Sequence, residues 1–103
     1  MGWNVSHGTN QHGEIVRSYG VVHDLARQLA HVLPGADWRA IAHVFHRPSG
    51  DPFFVAPAEA DRVARIVMRA AHDLLPRTWQ AEAETFALAA ACAADAGEQW
   101  EWR

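Results

Sequence analysis

The sequence has no lysine: all nine of its basic residues are arginine. Each cation is therefore a planar fork suited to carboxylates, phosphates and aromatic faces, not a mobile point charge. There is one cysteine, which excludes a disulfide scaffold and any CxxC-type zinc site. Cys92 lies in a run of alanines with no cation beside it in sequence to activate the thiol, so it reads as a small packed side chain. An excess of positive charge is also missing. The formal net charge of −3 excludes a generic basic nucleic-acid binder. No long apolar run exists: Phe86 to Ala94 is mostly alanine and falls far short of the roughly 20 residues of a membrane span. The first residues carry no positive n-region, and with the free cysteine this points to the cytoplasm. HExxH, a nucleophile elbow and a Gly-rich phosphate loop are all absent, so no motif specifies a reaction.

What is present is a chain of 103 residues, half of them hydrophobic and a fifth charged. That is the size and composition of one folded domain over residues 1–103. Charge is uneven. Residues 78–103 carry only Arg103 against Glu82, Glu84, Asp95, Glu98 and Glu101, while every histidine lies before them. In mild acid the first three quarters become positive and the remainder stays negative.

Residues 2–6 alternate Trp3, Asn4, Val5 and Ser6, the pattern of a half-buried strand. The same segment fits a loose myristoylation pattern and contains an Asn-Val-Ser sequon, both too short to outweigh the strand. Residues 7–13 read as a turn or loop. Ser18 is placed to cap a first helix running to about Leu33, with Val22, Leu25, Leu29 and Val32 on one face. After Pro34-Gly35, Asp37 opens a second helix to His46 with an apolar stripe of Trp38, Ile41, Ala42 and Phe45. A dense turn over Arg47 to Pro52 leads to a short strand, Phe53 to Val55. Pro57 begins a third helix to about Leu75, buried through Val63, Ile66, Val67, Ala70 and Leu74. Thr78 caps a fourth helix ending at Gly97, and Gln99 to Arg103 alternates as a final strand.

The expected fold class is α+β: a small, mostly antiparallel sheet of the terminal strands and a short central strand, packed against about four helices. Trp3 and Val5 then pack beside Trp100 and Trp102. The alternative is a four-helix bundle with a minor β-ribbon.

Three groups of side chains are candidates for chemistry. His43 and His46 stand three apart on the second helix, about 60° around the axis, and with His7 or His12 from the loop they can ligate a divalent metal. The competing reading makes them the wet side of an amphipathic helix together with Arg39 and Arg47. His23, Arg27 and His31 form a column on the first helix that reads as a polar face. On the third helix Arg62, Arg65, Arg69 and His72 share about 80° of arc opposite the apolar face. Glu59 with Arg62, Asp61 with Arg65, and Asp73 with Arg69 are spaced to neutralise part of this row. Trp100 and Trp102 are binding candidates if a terminal strand lies at a sheet edge, where it can pair with a partner or a second copy.

The stretch Asp37 to Phe53, with the Met1-Gly2-Trp3 opening and Ser6-His7, resembles small uncharacterised proteins of GC-rich actinobacteria. That resemblance implies a cytoplasmic bacterial or mobile-element origin and carries over no activity, cofactor or site. The residues themselves favour a small non-enzymatic binding or regulatory module that works without a cofactor through protein–protein contact, with homodimerisation as one form of it. The alternatives are a histidine-based metal enzyme or sensor, and a weak nucleic-acid binder, against which the net charge argues.

Overall fold

A computed structural model of the protein describes the backbone of residues 1–8 and 10–103, and the side chains of residues 1–8 and 14–103. The elements in chain order are β1 (Gly2–His7), β2 (Asn10–Ser18), α1 (Tyr19–Val32), α2 (Gly35–Phe45), β3 (Phe53–Val55), α3 (Pro57–Asp73), α4 (Arg77–Ala96) and β4 (Trp100–Trp102). The four strands form one sheet in the order β2-β1-β4-β3, antiparallel at every junction. This is the α+β arrangement, not the four-helix bundle.

β2 corrects the expected loop over residues 7–13. The polar run from His7 to Gly13 carries no strand pattern of its own, and pairing decides its backbone. Gly8 takes a left-handed conformation (φ 52°), which turns β1 back on itself, and Val5 faces Ile15 across the hairpin. The register slips between Val5 and His7. A Cβ at Gly8 would collide with the Glu98 carboxylate, so this turn is also close-packed.

The chain ends meet at the centre of the sheet. Val5 pairs with Trp102 and His7 with Trp100, and the Asn4 and Arg103 backbones exchange two hydrogen bonds of 2.8 and 2.9 Å. β3, the short strand from the middle of the chain, lies at an edge of the sheet. Alternation along the strands sends Trp3, Val5, His7, Ile15, Val55, Trp100 and Trp102 to one buried face and leaves Val16 and Phe54 exposed on the other. The helices lie against the buried face.

Trp102 is the hub of the core, with ring centroids 5.5 to 5.8 Å from Trp3, Phe45, Phe53 and Phe86 and 5.2 Å from Trp100. Most of these pairs are edge-to-face, the geometry the ring quadrupoles favour. α3 and α4 pack through alanines: Ala60, Ala64, Ala70 and Ala71 on one helix, and Ala83, Ala87, Ala90 and Ala93 on the other, are all buried. Small side chains let the two backbones approach closely.

Ser18 caps α1 as expected, its Oγ accepting from the Val21 N–H at 3.2 Å. The other helix starts differ. Pro34 and Pro76, not Asp37 and Thr78, occupy the N-cap positions of α2 and α4, because proline's fixed φ suits an extended residue leading into a helix. Gly97 ends α4 in the left-handed conformation at φ 67°. Leu74, expected to be buried, is exposed, and Leu75 takes its place in the core as α3 ends. Cys92 is exposed, not packed, because the buried stripe of α4 runs through Ala89, Ala90 and Ala93. No helix among the described residues is long and apolar enough to cross a membrane.

Candidate functional site

Arg62, Arg65, Arg69 and His72 are all exposed, on the side of α3 opposite Val63, Val67, Ala70 and Ala71. Only part of the expected neutralisation is present. Arg65 pairs with Asp61 at 2.6 Å. Glu59 does not reach Arg62; its carboxylate lies 3.1 Å from His43 on α2. Arg69 pairs with Asp37 on α2 instead of Asp73. The neighbouring helix offers closer partners than α3 offers itself, a tertiary competition that helical spacing does not reveal. Arg62 and His72 make no ion pair among the described residues.

The described histidines expected as metal ligands have different surroundings. His7 is buried at the end of β1, its Nδ1 3.2 Å from Glu98 Oε1. Strand alternation turns His7 into the sheet's covered face, where a loop residue would have been free to reach α2. His43 is held at Glu59, and His46, just past the end of α2, has its ring 6.1 Å from that of His23. His12's side chain lies outside the described residues. Among the described residues no group of three or more histidine, cysteine or acidic side chains is arranged to hold a metal.

Trp100 and Trp102 are fully buried, and β1 and β4 are the inner strands of the sheet. A partner pairing with a Trp-bearing sheet edge is therefore excluded for these two residues. Their indole N–H groups have no acceptor among the described residues.

Sequence reasoning missed a cleft of about 400 Å³ where the start of α1, the end of α2 and the turn after it come together. Trp3 and Phe45, both buried, belong to its wall, and Tyr19, His23 and Arg47 line it with Ser49 and Gly50. Trp3 and Tyr19 meet edge to face at 5.4 Å. The Arg47 guanidinium lies 3.8 Å above the Phe53 ring, and one of its Nη groups donates to the His43 carbonyl at 3.0 Å. Its Nε is buried and has no acceptor among the described residues. The residues come from positions 3, 19–23 and 45–50, so no local motif announces the cleft. The one legible signal was the crowding of Arg47, Pro48, Ser49 and Gly50 into a turn.

Fold and side-chain placement define a small α+β protein, a four-stranded antiparallel sheet with helices on one face and basic and histidine side chains around it. The chain belongs to the family described as a domain of unknown function (DUF7739), whose model matches residues 8–103. Comparison with curated proteins and with solved structures found no match.

Proposed function

We propose that this protein is a non-enzymatic binding module that works by contact with an acidic surface of another protein, made by the exposed row of α3. The observation that carries this reading is the row itself: four basic side chains in line on a 17-residue helix, with Arg62 and His72 unpaired among the described residues. Guanidinium forks bind carboxylates in bidentate fashion, and arginine is enriched at interface hot spots. The net charge of −3 disfavours nucleic acid as the partner, since phosphate neutralisation dominates that affinity.

A photo-crosslinking residue placed at position 62, with a control at the exposed position 84 on α4, tests this in the cells that make the protein. The expected result is a discrete protein adduct from position 62 that disappears when Arg65→Glu and Arg69→Glu are added. An adduct at twice the chain mass identifies a second copy as the partner. Nucleic-acid adducts, or none above the control, overturn the reading.

A further inference from the structure

We propose that the cleft between α1, α2 and the 46–50 turn is a binding site for a small aromatic anion: a flat ring carrying a carboxylate or phosphate. It is a different surface from the α3 row. Its volume of about 400 Å³ lies within the range of small-molecule sites, roughly 300–1,000 Å³.

The charge of the cleft has one sign. None of its lining residues is acidic. Arg47 is a permanent cation there, and no carboxylate pairs with it among the described residues. The contact with Phe53 and the bond to the His43 carbonyl hold the guanidinium in place before a ligand arrives. His23 lines the cleft with the His46 ring beside it. The first turn of α1, with no acidic residue in it, opens onto the cleft at Tyr19 and Gly20 and adds the positive end of a helix dipole. Of the acids close by in sequence, one stands beside the lining residue Ser49 and one lines a different depression. Asp51 accepts from Ser49 Oγ at 3.0 Å, and Asp24 lines a separate depression on α1.

The shape of the cleft selects a ring. Of the three aromatic residues in its wall Trp3 and Phe45 are buried and Tyr19 is exposed, so the Tyr19 ring is the one that can pair with another aromatic ring in offset or edge-on geometry. Gly50 closes the turn against Tyr19, where a Cβ would collide with the phenol, so the wall is set by packing.

The test uses benzoate and phenyl phosphate as probes, with benzamide and benzylamine as the neutral and cationic counterparts, read by backbone amide shifts in two-dimensional NMR of the whole chain. Saturable shifts at Gly20, Val22, Ser49 and Gly50 with either anion are expected, and the stronger anion identifies the head group. Benzamide and benzylamine should leave these amides in place. Arg47→Gln should weaken binding at least about tenfold, the loss of a charge-assisted bidentate contact. If that variant fails to fold without its stack on Phe53, the exposed His23→Gln should still weaken binding about threefold with an unchanged circular dichroism spectrum. No saturable shift up to about 10 mM of either anion, where the affinity would be too weak for a built site, overturns the proposal. An equal response to benzamide, or unchanged affinity in both variants, does the same.

Discussion

At the residue scale the protein depends on a few aromatic side chains. Trp102 contacts five other rings and is fully buried, so truncation removes its own transfer free energy and opens a cavity at the junction of sheet and helices. Trp102→Ala should cost about 3–5 kcal/mol, a large share of the roughly 5–15 kcal/mol that holds a domain folded. Urea denaturation checks this against Leu88→Ala, whose side chain is half exposed and should change stability by less than about 0.5 kcal/mol. His7 is the one fully buried titratable side chain among the described residues, held by Glu98 from across the sheet. The sequence pattern placed it in a loop, as a candidate metal ligand.

At the element scale, the helices start by three devices, and in α3 the device is Pro57 inside the first turn. Proline sets the extended residue before α2 and α4, whereas α1 relies on a side-chain hydrogen bond from Ser18. Ser18→Ala therefore leaves the first-turn donor of Val21 unmatched and should lower stability by about 1 kcal/mol. For a chain of this size that is a fall of about 4–8 °C in Tm, measured by thermal denaturation. α1 also forms one wall of the cleft, so a frayed first turn would move Tyr19 and Gly20. α3 and α4 are tied by interlocked alanines, and the Arg row on the opposite side of α3 is left available for contact.

At the scale of the whole molecule, the sheet is closed by its two termini. β4 lies between β1 and β3, so β3 pairs with the sheet through the three residues of β4. A chain ending at Gln99 loses Trp100, Trp102 and the Asn4–Arg103 bonds together, leaving a hairpin and an isolated strand. It should show no cooperative thermal transition and lose its near-ultraviolet circular dichroism. A chain shortened by Met1 alone, which is fully exposed, should unfold as the intact protein does.

The amino-acid order alone determined the four helices, the α+β class and the basic row of α3. Each rests on a period of 3.6 or 2, or on a capping residue, within a short window. Tertiary structure decided the rest. β2 exists because β1 pairs with it; Arg69 chose Asp37 over Asp73 because α2 lies alongside; and His7 is buried because its place in β1 turns it to the face that the helices cover. The cleft joins three distant segments, and only the packing of α1 and α2 onto the sheet brings Trp3, His23 and Arg47 to one place. Contacts of that kind depend on which surfaces meet, and no local period encodes them.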